Sequence, residues 1–362
     1  MLTYRYFLLG SLLVVLFSTC KTEINKEPPI VGVKIYNWEG DYAELFRIWR
    51  ETGINTVFAN PGLLADTEFQ EGLRQDGIKS FLIFPVFFDT DILENEPGLY
   101  AIDSDGKQAI DDWVHFVCPT REDFRKKKIE QAKKYVKEIQ PDAISIDFIR
   151  YFVFWERMFP DYTLDSLPKT CYNIHCVQKF ELDESIAIPD TLMEEEDISD
   201  WIDQYKSIEW TRWKCKQITS MIAQISQAVK IIKPDILVNV HLVPWRAGDY
   251  NGAIRKIAGQ DVTLIKDYAD LLSPMTYSHM VKQDPEWIHS VVEDVNEKSS
   301  AVVIPSIQVS KAYLDAPLTL DEFSKCIEQA LMPPSKGVVF WSWDHLAASP
   351  EKLGIVKGYF SE

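Results

Sequence analysis

The chain predicts an α/β fold of the (β/α)8, or TIM, barrel class on three observations. Eight short apolar, β-rich runs recur along it, amphipathic helical stretches fill the gaps between them, and no G-x-G-x-x-G turn follows the first run. The last point removes the main support for a doubly wound open sheet. The strand candidates are 30–38, 54–60, 79–88, 142–151, 236–245, 270–278, 301–309 and 337–344. Helical patterns occupy 42–51, 67–75, 121–139, a long stretch within 198–232, then 254–265, 285–297, 320–331 and 350–359. Long loops follow strands three (90–119) and four (152–197), on the rim where strand C-termini open and where such excursions build substrate walls.

Composition allows this architecture and excludes one partner class. Of 362 residues 46% are hydrophobic and 12% aromatic, enough for a barrel-sized core. Asp and Glu number 55 against 38 Lys and Arg, a net charge of −17 that repels phosphate backbones, so nucleic acid is not an expected partner.

At the N-terminus, Arg5 precedes an apolar run from Phe7 to Phe17, too short to span a bilayer comfortably, and Ser18 and Thr19 lead to Cys20. This resembles a bacterial lipoprotein signal. The resemblance implies a segment 1–20 ending at a lipidated Cys20, a tether over 21–29, a single catalytic barrel domain over 30–362 with an insertion at about 152–197, and a lipid-anchored place in the cell envelope, at the outer membrane. Cys118, Cys171, Cys176, Cys215 and Cys326 then remain, an odd number. Cys171 and Cys176 are close enough in sequence to pair, and whether they do stays open. A zinc site is disfavoured, because His175 is the only other good ligand nearby.

The strand ends carry the groups that could do chemistry. The fourth, DAISIDFIRY over 142–151, alternates with period two: Ile144, Ile146 and Phe148 on one face, Ala143, Ser145 and Asp147 on the other, with Arg150 just beyond. Asp147 therefore faces the cup at the C-terminal end of the barrel. Tyr36 and Trp38 follow the first strand, Asn60 the second, His241 and Trp245 the fifth, Tyr277 the sixth, Gln308 the seventh, and Trp341 and Trp343 the eighth. Aromatic plates pack on the C–H faces of a sugar while amide, imidazole and carboxylate groups bond its hydroxyls, so this mixture in one cup suits a glycan. The acidic run Glu194 to Asp197 reads instead as a solvated helix start.

The block CPTREDFRKKKIEQAKKYVKEIQPDAISIDFIRY at 118–151, with ILVNVHLVPW at 236–245, SPMTY at 273–277 and GVVFWSWD at 337–344, resembles the corresponding blocks of glycoside-hydrolase-like TIM barrels. It is distantly similar to the chitinase-type family 18 pattern D-x-x-D-x-D-x-E: Asp142 and Asp147 match, but Ser145 replaces an Asp and Ile149 stands at the Glu. Met275 and Tyr277 keep that family's sixth-strand pattern, with Ser278 where an Asp follows. The resemblance implies a hydrolase acting on O-glycosyl bonds with a catalytic role for Asp147.

Two-carboxylate chemistry needs a partner acid. Asp344 leads, sharing strand parity with Ser342 and Phe340 and abutting two tryptophans; Glu39, Asp41, Asp89, Asp91 and Asp249 are the reserves. His115, His241, His279 and His345 could face one cup, but no His-x-His pair lies on the first strand, so no catalytic metal and no cofactor are expected. The expectation is a monomeric envelope glycosidase, the alternative a non-catalytic glycan-binding lipoprotein on the same barrel.

Overall fold

A computed structural model describes residues 28–361. Its parallel strands are β1 (Ile30–Ile35), β2 (Thr56–Ala59), β3 (Lys79–Pro85), β4 (Ala143–Asp147), β5 (Leu237–Leu242), β6 (Leu271–Pro274), β7 in two pieces (Val302–Val303 and Ser306–Gln308) and β8 (Gly337–Trp341). Each pairs with the next, and β8 pairs with β1 through Ile30–Gly337 to Lys34–Trp341. The split strand completes the circle. Its first piece bonds β6, its second bonds β8, and a parallel bridge joins Met275 to Ser306. Pro305 stands at the break, where its missing N–H would leave a gap in a continuous ladder.

Helices follow the strands: α1 (Tyr42–Glu51), α2 (Thr67–Asp76), α3 (Glu122–Ile139), α4 (Ser207–Ile232), α5 (Val262–Ile265), α6 (Glu286–Ser299), α7 (Leu320–Leu331) and α8 (Pro350–Phe360). The sequence pattern at 254–265 suggests one helix, but the chain forms Ala253–Lys256 and then α5. Gly259 separates them with φ +70°, and a Cβ there would come within 2.8 Å of the Tyr151 ring, so the turn requires glycine. The acidic run does start a helix, Glu195–Tyr205, with three carboxylates in its first turn.

Strand alternation sorts the core into two compartments. Ile144 and Ile146 point outward into the main core beneath the helices, whereas Phe58, Phe81, Ile83, Ala143, Leu271, Ile304 and Val339 fill the barrel interior. Above that apolar plug lies a buried polar layer: Asn239 donates to Ser145 (2.9 Å), Ser273 donates to Asn239 (2.8 Å), and Ser145 meets His241 Nε2 at 2.9 Å. These side-chain hydrogen bonds link β4, β5 and β6, so the layer fixes the height at which the cup begins.

Gly337 closes the seam. Its φ is +152°, and a Cβ would lie 2.0 Å from the Ile30 carbonyl oxygen of β1, a backbone clash no rotamer relieves. Gly337→Ala should therefore lower stability by roughly 2–4 kcal/mol in urea unfolding. Gly354→Ala, on an exposed turn of α8 with nothing within 4 Å, should raise it by up to ~1 kcal/mol. Equal effects at the two positions would contradict this account.

Candidate active site

The C-terminal mouth of the barrel holds a cavity of about 100 Å³ lined by Lys34, Tyr36, Trp113, Asp147, Phe148, Arg150, Glu156, Met275, Tyr277, Tyr313 and Trp341. β1 delivers Lys34 and Tyr36 from its interior face, because Gly32, Lys34 and Tyr36 share one parity. β4 delivers Asp147 in the same way. Phe148 should by alternation point to the outer core; instead its φ is +48°, which ends the strand and turns the ring into the cup, stacked on Phe88 at 4.7 Å. The long loop after β4 supplies Arg150 and Glu156, and the loop after β3 supplies Trp113.

Two carboxyl groups share this cavity in opposite electrostatic states. Burial alone would raise Asp147, but the Lys34 ammonium, the Phe148 N–H (2.7 Å) and the Arg150 guanidinium help to hold it below the ordinary range. Burial dominates at Glu156, which is pushed up to about 7; the Asp147 charge adds to that rise, and Arg150 only partly opposes it. Two carboxyls driven apart in this way are the pattern of an acid and a base in one site. Burial and Lys34 lower His241 to about 3, so its ring is neutral at pH 7.

Two residues that line the cavity carry buried polar atoms without hydrogen-bond partners. Arg150 is 2% exposed, sits over the Phe116 ring at 4.7 Å, and leaves Nη1 unbonded; Glu156 Oε2 is unbonded too. Lys34 Nζ reaches the Tyr277 hydroxyl at 3.3 Å, and Tyr277 stacks on Trp341 with centroids 4.6 Å apart. At the solvent side Trp113 Nε1 donates to the Tyr313 hydroxyl at 2.8 Å, joining the loops after β3 and β7 across the mouth.

Of the residues expected at the site, Asp147, Tyr36, Arg150, Tyr277 and Trp341 line this cavity. The others do not. Asp344 is exposed in the first turn of the helix Trp343–Ala347, because the strand stops at Trp341 and strand parity no longer applies beyond Ser342, the N-cap. Trp343 is fully buried against Trp49 (5.6 Å, edge-on) and Trp38, so both tryptophans belong to packing under the rim. Asn60 caps a short helix by accepting from the Leu63 N–H and donates to the Tyr36 carbonyl. Gln308 accepts from the Met280 N–H and donates to the Ser310 carbonyl, each at 2.8 Å, which uses both ends of its amide. His241 lies beneath the cup in the polar layer, and Trp245 packs against Tyr250 elsewhere. Cys20 lies outside the described residues.

The reserve acids are likewise engaged or exposed. Asp41 and Asp89 are N-caps, Asp89 also pairing with Lys128 at 2.8 Å; Asp249 pairs with Arg246; Glu39 and Asp91 are exposed. The four histidines do not converge: His115 meets Tyr100, His279 meets Glu322, and His345 meets Ser342. Ile149, at the position of the chitinase-type Glu, is buried core, and Asp142 sits at the opposite end of the barrel, accepting from the Ser80 N–H. Sequence reasoning missed Lys34 and Glu156. A lysine at interior parity in an apolar strand was a usable signal; a loop glutamate with no periodicity around it was not.

Neither a protein-family model nor a curated protein matches the sequence. Solved structures do match in fold. The PgaB (BpsB) glycoside hydrolase domain from Bordetella bronchiseptica aligns with TM-score 0.67 and 12% identity over 91% of this chain and 98% of that one. A β-galactosidase from Marinomonas ef1 gives 0.67 and 12%, and one from Halorubrum lacusprofundi 0.64 and 11%, each over 91% of this chain. The chain spans 58% and 57% of those two enzymes. The structural neighbours are thus glycoside hydrolase barrels, and the chain shares their fold.

The raised Glu156 carboxyl makes stability fall as pH rises from 4.5 to about 7, where the folded chain keeps a proton that the unfolded chain has lost. Glu156→Gln should remove that fall, gaining on the parent through this window by at most about 3 kcal/mol above it. Urea midpoints at pH 4 and pH 8 read the difference; the same shift at both would contradict it.

Proposed function

We propose that this chain hydrolyses glycosidic bonds, with Asp147 as the carboxylate that attacks the anomeric carbon or activates water and Glu156 as the general acid. The observation that carries the reading is the shared aromatic cavity, in which one carboxyl is held ionised by cations and the other is kept protonated by burial. Trp341, Tyr277 and Tyr36 offer faces for a sugar ring, and Arg150 Nη1 offers an unused donor for a hydroxyl or ring substituent. The shared barrel with glycoside hydrolases supports the reading at the level of fold.

The chemistry assigned to each group follows from its charge. Glu156, protonated up to about pH 7, gives its proton to the leaving oxygen as the glycosidic bond breaks. Asp147 stabilises the positive charge that develops on the ring. Lys34 and Arg150 keep it ionised without protonating it. The N-terminal resemblance to a lipoprotein signal supports work on an envelope or extracellular oligosaccharide, with Cys20 as the anchored residue.

With an oligosaccharide or aryl glycoside substrate, kcat/KM should decline above about pH 7 as Glu156 ionises, and again at low pH as Asp147 is protonated. Glu156→Gln should lower kcat about 10²–10⁴-fold on substrates with poor leaving groups, lose the alkaline limb, and be rescued by a nitrophenyl leaving group that needs no proton. Asp147→Asn should abolish turnover with either substrate while oligosaccharide affinity persists. Binding without turnover by the parent chain would replace this reading with that of a glycan-binding barrel.

A further inference from the structure

Away from the cup, three cysteine sulfurs converge where the two long rim connections meet. Cys118 closes the loop after β3, while Cys171 and Cys176 belong to the loop after β4, Cys176 in the first turn of the helix Ile174–Glu184. Their Sγ atoms all lie within 4.8 Å of one another, and Cys118 and Cys176 are 3.2 Å apart. All three residues are fully buried. The Thr120 hydroxyl joins them, 3.2 Å from Cys118 Sγ and 3.1 Å from Cys176 Sγ.

We propose that Cys118, Cys171 and Cys176 bind one thiophilic d10 cation, Zn²⁺ or Cu⁺, which pins the two walls of the cup to each other. A disulfide joins two sulfurs at about 2.05 Å and gives a third no reason to approach. A single ion holds sulfurs at about 2.3 Å from itself, hence about 3.8–4.0 Å from one another, and uses all three. The separations here, from 3.2 Å to no more than 4.8 Å, bracket that spacing.

The donor set selects the ion. Thiolates without carboxylates or carbonyls favour soft d10 cations over Mg²⁺ or Ca²⁺. For Zn²⁺ the Thr120 oxygen stands where a fourth donor belongs, whereas Cu⁺ is satisfied by three sulfurs. Each thiol that ligates releases its proton to solvent. The role is structural, because none of the three cysteines lines the catalytic cavity. Its effect is on geometry: the tied segments are those that carry Trp113 on one side and Arg150 and Glu156 on the other.

The test titrates the reduced full chain, without oxygen, separately with Zn²⁺ and with Cu⁺ as its acetonitrile complex, against a chromogenic chelator. X-ray absorption is recorded at the metal edge. One equivalent of either ion, with a sulfur shell at about 2.3 Å, is the expected result. Cys171→Ser should bind at least about 10-fold more weakly, while Cys215→Ser and Cys326→Ser, which change cysteines outside the cluster, should bind as the parent does. Because the absorption spectrum is taken on the parent chain, the outcome stands even if Cys171→Ser fails to fold. Failure of both ions to bind stoichiometrically, a shell of nitrogen and oxygen only, or a disulfide between two of the three sulfurs in the chain as isolated overturns the proposal.

Discussion

The site depends on an ammonium group held inside the barrel. Lys34 is 2% exposed, and among the described residues no carboxylate lies within ion-pair distance of it; its one side-chain hydrogen bond goes to Tyr277. Burying such a charge costs several kcal/mol, and burial accordingly lowers its pKa while the charge of Asp147 opposes the fall. The Tyr277 hydrogen bond and the Asp147 charge each offset part of that cost. Lys34 is one of the charges that hold Asp147 ionised, the Asp147 charge adds to the burial that raises Glu156, and burial followed by Lys34 keeps His241 neutral beneath.

The barrel was readable because its signals are periodic. Alternation in 142–151 placed Ala143, Ser145 and Asp147 on the interior face, and the strand–helix rhythm gave eight units. What failed was extrapolation of a period past its element. Asp344 is expected in the cup by strand parity and Trp343 by its place at a strand end, yet the backbone enters a helix after Ser342 and leaves the carboxylate exposed and the indole in the core. Phe148 is a related case, with a positive φ reversing the face that alternation gave it. Glu156 lies in an irregular loop whose path is set by packing rather than by local pattern, so nothing in the string of residues marked it.

Aromatic residues at strand ends proved ambiguous for a physical reason. Trp341 and Tyr277 stack in the cup, whereas Trp343, Trp38 and Trp245 fill the layer between barrel and helices. A large ring removes much apolar area from water in either place, so burial energy does not discriminate between them. Only the turn that ends each strand decides which side the ring takes. The fold is common to hydrolases with much longer chains, which places the burden of function on these loops rather than on the scaffold.

The hydrogen bond between Trp113 and Tyr313 spans the mouth of the cavity. Arg157, next to Glu156 in sequence, pairs with Asp112 at 2.5 Å in the same hairpin that carries Trp113, and its guanidinium lies over the Tyr313 ring at 5.1 Å. A cavity of about 100 Å³ is smaller than ordinary ligand sites of roughly 300–1,000 Å³, so under the proposed function a sugar ring would enter only with that contact opened. Glu156 owes its raised pKa to burial, so a carboxyl wetted by such an opening would give up its proton more readily than the closed one. On that reading the acid would keep its proton at neutral pH only while the Trp113–Tyr313 contact is made.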